Sequence, residues 1–340
     1  MTWTGSGKSA PTYEGKGLKT GFYFILALAV LCVLIVQLLA AQRERNAAAS
    51  FPPTGQIIDV NGVRVHVEQM GQGPDLVLIH GASGNVRDFT FAFADRVKDR
   101  YRVTILDRPG LGWTEQIAPD HKTAWSTAHA NPTDQARLLK AATEQLGVEN
   151  PIVLGHSFGG IVAFAWAVEF DDIAGVVSVA GVANPWPGDL DWTYQVNGSA
   201  WGGGLVVPLL SAFVPQAYID RVVSNIFAPQ AAPEGYIEHV GPALILRRGS
   251  MRANARQVNW LRPFVVDLSQ RYGDIAVPVE VVHGDADTIV PLDVHSEKLP
   301  EQIDGTNVTV LPGAGHMPQH THAEAVVAAI DRVAERAGLR

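Results

Sequence analysis

The chain has 340 residues and a formal net charge of −8, long enough for one large domain with an insertion, or for two domains, around a sizeable core. No run of Lys or Arg stands out against that acidic balance, which argues against a nucleic-acid partner. Cys32 is the only cysteine, so neither an intrachain disulfide nor a cysteine-based zinc site can form.

Residues 1–20 are polar and rich in Gly, Ser, Thr and Lys, the composition of a disordered tail. Gly7-Lys8-Ser9 has the ending of a phosphate-binding loop, but Thr2 stands where that loop needs its first glycine. Phe22 to Ala41 follows, with Gln37 as its only strongly polar residue. At about 1.5 Å per residue it reaches roughly 30 Å, the thickness of a bilayer's hydrocarbon core. A buried core helix would be unusually long and evenly apolar for its class. A cleaved signal peptide would have a shorter apolar core, and the small residues Ala47-Ala48-Ala49 lie well past this one. A transmembrane anchor over 21–41 fits best, followed by a tether over 42–53. Lys8, Lys16 and Lys19 precede the span and Arg43 and Arg45 follow it, which places the N-terminus in the cytoplasm and the remainder on the outer, extracytoplasmic face.

Gln56–Asp59 and Val63–Val67 are β-branched runs flanking Asn61-Gly62, a hairpin signal. Leu76–Ile79, Val103–Leu106, Pro151–Leu154, Ala174–Ala180, Val279–Val282 and Val308–Leu311 are short apolar runs, as expected of strands buried on both faces. Helical segments fall between them at Arg87–Val97, at Pro132–Leu146 with Asn131 as cap and Gly147 as stop, at Ile161–Val168, and at Ala323–Ala337. This alternation predicts an α/β domain over 54–340, with a mostly parallel sheet covered by helices on both faces. Between about 184 and 262 the rhythm breaks into a stretch rich in Trp, Pro and Gly, with helical pieces near 215–227 and 250–261. That stretch predicts an inserted helical cap.

Gly155-His156-Ser157-Phe158-Gly159-Gly160 lies between a predicted strand and a predicted helix, the setting of a nucleophile elbow. The glycine-serine-glycine spacing alone arises by chance roughly one time in ten in a chain of this length, so its context must carry it. A serine hydroxyl needs a base, usually histidine, oriented by a carboxylate. In an open α/β sheet such groups gather beyond the carboxyl ends of the strands. Beyond Val279–Val282 stands His283-Gly284-Asp285-Ala286-Asp287, and beyond Val308–Leu311 stands Pro312-Gly313-Ala314-Gly315-His316. Ser157, Asp287 and His316 give the nucleophile–acid–base order that accompanies this elbow.

From about Thr54 onward the chain resembles the cap-bearing branch of the α/β-hydrolase superfamily. The matching stretches are His80-Gly81, Asp107-Arg108-Pro109-Gly110-Leu111-Gly112, the elbow, Gly284-Asp285-Ala286-Asp287-Thr288-Ile289-Val290-Pro291 and Gly313-Ala314-Gly315-His316. The resemblance implies the α/β-hydrolase fold and a triad of Ser157, Asp287 and His316. It selects Asp287 because the acid stands four residues before the proline, leaving Asp285 as a turn residue. It selects His316 over His320 and His322, which lack the Gly-x-Gly-His loop. It also implies an oxyanion hole made by the backbone N–H groups of Ala82 and Phe158. His80, His156, Asp107 and Arg108 then have structural roles. A zinc site from His316, His320 and His322 lacks a carboxylate or cysteine partner at ligand spacing, so neither a metal nor a cofactor is expected. His121, Trp125 and His129 could rim a pocket or form a solvated loop. Trp186, Trp192, Tyr194 and Trp201 could roof it or form the cap's own core.

The expected activity is hydrolysis of a carboxylic ester, or a related small apolar acyl substrate, by an enzyme tethered to a membrane. The same triad also serves carbon–carbon bond hydrolases, lactonases and aminopeptidases. A non-catalytic ligand receptor on the same fold is the alternative from another class. Serine at the elbow argues against the haloalkane dehalogenase and epoxide hydrolase branches, which use aspartate there.

Overall fold

The computed structural model describes residues 1–5, 7 and 14–340. Residues 6 and 8–13 of the expected disordered tail, including Lys8 and Ser9, lie outside the described residues. From Glu14 the chain is helical, and helix α1 runs without a break from Glu14 to Ser50. Two expectations are thereby corrected: residues 14–20 belong to the helix rather than to a disordered tail, and residues 42–50 continue it rather than forming a tether. The cause is local. No proline interrupts 14–50, and a helix already nucleated in the apolar span propagates cheaply into the mostly good helix formers of 42–49, while on the N-terminal side it carries Gly15, Gly17 and Gly21 at a propensity cost of about 1 kcal/mol each. Gln42 Nε2 donates to Asn46 Oδ1 at 2.9 Å, and Arg45 Nη2 to Gln42 Oε1 at 2.7 Å, on the outer face of this extension. Pro52-Pro53 then ends it.

Among the described residues, eight strands form one sheet in the order β1-β2-β4-β3-β5-β6-β7-β8. They are β1 Gln56–Val60, β2 Val63–Met70, β3 Asp75–Ile79, β4 Arg102–Leu106, β5 Ile152–His156, β6 Gly175–Val179, β7 Val279–Gly284 and β8 Asn307–Leu311. The β1–β2 hairpin turns at Asn61-Gly62 as expected, and β2 pairs antiparallel with β4. From β4 to β8 every pairing is parallel, so the carboxyl ends of six strands share one edge.

Helices α2 (Pro132–Gln145) and α3 (Phe158–Glu169) cover one face of the sheet. Asn131 caps α2 by accepting from the Asp134 N–H at 2.9 Å, which satisfies one of the donors a helix start leaves open. The segment expected as a helix over 87–97 breaks into Arg87–Thr90 and a 3₁₀ turn at Ala94–Arg96. Phe89, Phe93 and Val97 are buried against the other face, and their packing overrides a weak helix propensity.

Between β6 and β7 stand α4 (Val207–Phe213), α5 (Gln216–Phe227), α6 (Arg248–Asn259) and α7 (Leu261–Ser269). The first three build the cap together with shorter helices at Trp192–Gly198 and Tyr236–Val240. Leu261, Val265 and Leu268 of α7 are buried with the sheet's core, so the cap ends near residue 259. Helix α8 (Ala323–Arg336) closes the second face.

One helix among the described residues, Lys19–Ser50, is by itself long and apolar enough to cross a membrane. Its last turns dock on the cap. Glu44 accepts from the Arg248 backbone N–H and Nε at 2.8 Å and from Nη2 at 2.7 Å, and Arg248 also reaches Gln37. Arg43 donates to the carbonyls of Ala212 (3.0 Å) and Val214 (2.9 Å), which lie at the end of α4. Replacing Arg248 by Ala removes the two-pronged clamp and should loosen this docking. Limited trypsin digestion in detergent, mapped by mass spectrometry, should then show faster cleavage after Arg43 and Arg45 than in the unaltered protein.

Candidate active site

The elbow depends on close backbone approach. Ser157 joins β5 to α3 with φ 54° and ψ −118°, a conformation a side-chain-bearing residue rarely adopts. Three backbone hydrogen bonds hold it there: its N–H donates to the Val179 carbonyl, and its carbonyl accepts from Gly160 and Val182. A Cβ at Gly155 would lie 2.1 Å from the Gly159 oxygen, and one at Gly159 would lie 2.2 Å from the Ile79 oxygen. Only glycine fits at either place, which gives the motif spacing its physical meaning.

The three residues expected as a triad meet. His316 Nε2 lies 2.9 Å from Ser157 Oγ, and its Nδ1 lies 2.7 Å from Asp287 Oδ2. The Asp287 Oδ1 atom accepts from the N–H groups of Ile289 (2.8 Å) and Val290 (3.0 Å), while His283 Nε2 stands 3.3 Å from Oδ2. Burial alone would raise the Asp287 carboxyl, but hydrogen bonds from His283 and His316 hold it well below the usual carboxylate range. An ionised Asp287 fixes the His316 proton on Nδ1 and leaves Nε2 free to accept from the serine. Asp285 is occupied elsewhere: its Oδ1 accepts from the Gly313 N–H at 2.6 Å, as a turn residue does.

Phe158 is the first residue of α3, so its N–H has no acceptor within the helix. Its ring points into the core, where the Arg108 guanidinium stacks 3.8 Å from the ring centre. Ala82 follows Gly81 on the wall of the cavity, and a Cβ at Gly81 would lie 2.9 Å from Ser157 Cβ. The loop after β3 and the start of α3 therefore flank the serine from two sides.

Arg108 was expected only to stabilise its corner, and its geometry shows how it does so. Fully buried, it donates to Gln135 of α2 (2.9 Å), to the Gly81 carbonyl (2.9 Å) and to Gln257 of α6 (2.6 Å). One side chain thus ties the loop beside the serine to both the domain and the cap. Burial pushes its pKa down to about 9. His80 accepts from the Arg108 N–H through Nε2 at 2.9 Å and faces the Gly81 carbonyl with Nδ1, while His156 Nε2 contacts the His316 carbonyl at 2.9 Å. Asp107 receives the Val86 and Trp113 N–H groups and contacts His66.

A cavity of about 410 Å³ opens over Ser157 between the sheet and the cap. Its walls include Val214, Ile219, Val223, Ile226, Phe227 and Ile237. Of the aromatic residues considered as a roof, Tyr194 lines it, whereas Trp186, Trp192 and Trp201 do not. His121, Trp125 and His129 also stand outside it: Trp125 packs edge-on against Trp201 and His129 stacks on Trp260. The lining from α5 was missed in the sequence, although its four-residue spacing of Ile219, Val223 and Phe227 carried the signal. One polar cluster breaks the apolar wall. Buried Asp88 accepts from Tyr236 Oη (2.7 Å) and Gln319 (3.2 Å) and pairs with His320 Nε2 (2.9 Å). His322 precedes α8, and among the described residues no three His, Cys, Asp or Glu side chains come together as metal ligands would.

A profile for the α/β hydrolase fold matches residues 74–323. The chain belongs to the α/β-hydrolase family. The 2-hydroxy-6-oxo-6-phenylhexa-2,4-dienoate hydrolase of Burkholderia cepacia is 25% identical over 282 residues, covering 78% of this chain and 89% of that one. The crystal structure of an α/β-hydrolase-fold protein from Burkholderia ambifaria aligns with a TM-score of 0.64 at 25% identity, over 82% of this chain and 99% of that one. A bacterial membrane phospholipase A shares the fold at 18% identity with a TM-score of 0.61, over 93% of this chain and 99% of that one.

Burial lowers both His80 and His156 from an ordinary 6.5 to about 4, with Arg108 beside the first and His316 beside the second adding to the effect. Both rings bind protons more weakly when folded than when unfolded. Their stabilising effect is therefore present above about pH 6.5 and is lost as the pH falls towards 4. Melting temperatures taken between pH 7 and 4 should fall steadily, and a His156→Gln variant that retains the fold should show a shallower decline.

Proposed function

We propose that this member of the family is a membrane-anchored serine hydrolase that cleaves carboxylic esters of apolar acyl groups. The observation that carries the reading is the hydrogen-bonded chain from Ser157 through His316 to Asp287 at the floor of an apolar cavity. Ser157 Oγ attacks the ester carbonyl while His316 Nε2 takes its proton. Asp287 stabilises the imidazolium that forms, and the N–H groups of Ala82 and Phe158 receive the oxyanion. The proton then passes from His316 to the departing alkoxide, giving the alcohol and an acyl-Ser157 ester. Water, deprotonated by the same histidine, adds to that ester, and the proton then passes from His316 to Ser157 Oγ as the acyl–oxygen bond breaks and the acid leaves.

The cavity favours an uncharged acyl group. No Lys or Arg occurs among its described lining residues, and the Asp88 carboxylate stands in its wall. A substrate that is itself a carboxylate, such as the dienoate named for the Burkholderia cepacia relative, would meet no Lys or Arg there, and the Asp88 cluster already commits Tyr236, Gln319 and His320 to a carboxylate of its own. Ester hydrolysis is therefore preferred over carbon–carbon bond cleavage of that kind. The apolar α1 supports the anchor, and the lysines before it with the arginines after it support a cytoplasmic N-terminus.

A fluorophosphonate probe should label the native protein and leave Ser157→Ala unlabelled. Nitrophenyl ester turnover should vanish in Ser157→Ala and fall about 10³–10⁴-fold in Asp287→Asn, which removes the acceptor that holds the His316 tautomer. Labelling that persists in Ser157→Ala would place the nucleophile elsewhere. A panel of esters, lactones and diketones, run on the full chain in detergent, ranks the bond types.

A further inference from the structure

The anchor helix and the cap share surface in a way that sets the cap's depth. Helix α1 turns one stripe towards the domain, with Ala40 buried and Val36, Gln37, Ala41, Arg43 and Glu44 half-buried. Four of these six lie within the apolar stretch Phe22–Ala41 itself. Helix α4 packs along this stripe. A span of about 20 residues is needed to cross the hydrocarbon core, so a cap that touches residues 36–41 already stands at the level where the bilayer ends.

The cap surface at that level is apolar and open. Leu205, Leu209 and Phe213 are 49%, 46% and 57% exposed, and their four-residue spacing puts them on one helical face. The opposite face, with Val207, Ser211 and Ala212, is buried. From Trp192 to Ile219 the chain contains no Asp, Glu, Lys or Arg. The Gly202–Phe213 and Gln216–Phe227 helices meet the apolarity and length of a membrane segment when taken together, yet bend by 101° and so do not form one straight span. At the start of this run Trp201 is 73% exposed, a residue type enriched at the headgroup level. Tyr218 and Val222 of α5, next along the chain, are both solvent-exposed and part of the cavity wall. The cavity's mouth therefore adjoins the apolar face.

We propose that the Leu205–Leu209–Phe213 face docks into the outer boundary of the lipid bilayer beside α1, so that an acyl ester enters the cavity from the membrane past Tyr218 and Val222. The occupant is lipid, because the face continues the surface of the helix that crosses it. This rests on the reading of α1 as a membrane anchor.

The test uses the full chain reconstituted in phosphatidylcholine vesicles. The triple variant Leu205→Glu, Leu209→Glu, Phe213→Glu is compared with the unaltered protein on nitrophenyl acetate in water and on nitrophenyl palmitate dissolved in the bilayer. The three positions are exposed and lie outside the cavity, so acetate turnover should stay within about twofold. Palmitate turnover should fall at least about tenfold, since three charges now face hydrocarbon. Brominated acyl chains give a readout that needs no activity: they should quench the unaltered protein more than Trp201→Phe, and the triple variant should lose that difference. Equal effects on both esters with unchanged quenching, in protein that resists an alkaline wash, overturn the docking face and leave the anchor standing. Release by the wash overturns both. Loss of a dimer in the triple variant by light scattering, with palmitate turnover intact, overturns lipid as the occupant and assigns the face to a second copy of the chain.

Discussion

The structure depends on one steric constraint, the contact of backbone with backbone around Ser157. Strand β5 and helix α3 approach so closely that Gly155 and Gly159 have no room for a side chain. The turn between them can then hold a serine at positive φ, because hydrogen bonds from the Gly160 and Val182 N–H groups to its carbonyl, and from its own N–H to the Val179 carbonyl, leave it no other geometry. Strain stored here keeps the hydroxyl clear of the sheet and in line with His316. Everything else at the carboxyl edge is placed relative to that fixed atom. Strand β7 delivers Asp287, strand β8 delivers His316, and strand β3 delivers the loop with Ala82.

Arg108 is the second point of convergence. Burying an unpaired guanidinium would be costly, and no carboxylate accepts from this one. Its charge is met by amide and carbonyl oxygens from three separate parts of the chain and by the face of Phe158. That choice avoids a counter-anion beside the site where an oxyanion would form. It also makes the position of the Gly81 carbonyl, and so of the adjacent Ala82 N–H, depend on the cap through Gln257. Cap and oxyanion loop are thus mechanically linked. Ser83 strengthens the link, since its N–H donates to Asn254 of α6 at 2.7 Å.

The parts legible in the sequence were those governed by short-range rules. Apolar runs of four to seven residues marked the strands, and Asn61-Gly62 marked the hairpin. The elbow, Asp287 and His316 could be read because each follows a strand and carries its own glycine turn. Asp285 and Asp287, two residues apart, were separated only by the family pattern, and the structure gives the physical reason: one carboxylate serves Gly313 and the other serves His316. What escaped was set by distant contacts. Gln135, Gln257 and Gly81 meet at Arg108 from positions far apart in the chain, and nothing local marks any of them. The cap's tryptophans were conspicuous by type, yet Trp192 and Trp201 face outward while plainer residues of α5 line the cavity. The segment 42–50 misled for a different reason. Its polarity suggested a linker, but polarity does not break a helix whose residues have good propensity.

The unbroken course of α1 gives that correction a geometric meaning. A flexible linker forgets the angle at which it leaves its anchor, and one residue more or less changes only its reach. A helix keeps a phase. Each residue inserted or removed between Ala41 and Ser50 would turn everything beyond it by about 100° about the helix axis and shift it by about 1.5 Å along it. The azimuth of the cavity's mouth around the apolar part of α1 is therefore written in the number of residues between that apolar stretch and Phe51. Substitutions on the outer face of this segment leave that angle intact, whereas an insertion or deletion of a single residue re-aims the whole catalytic domain.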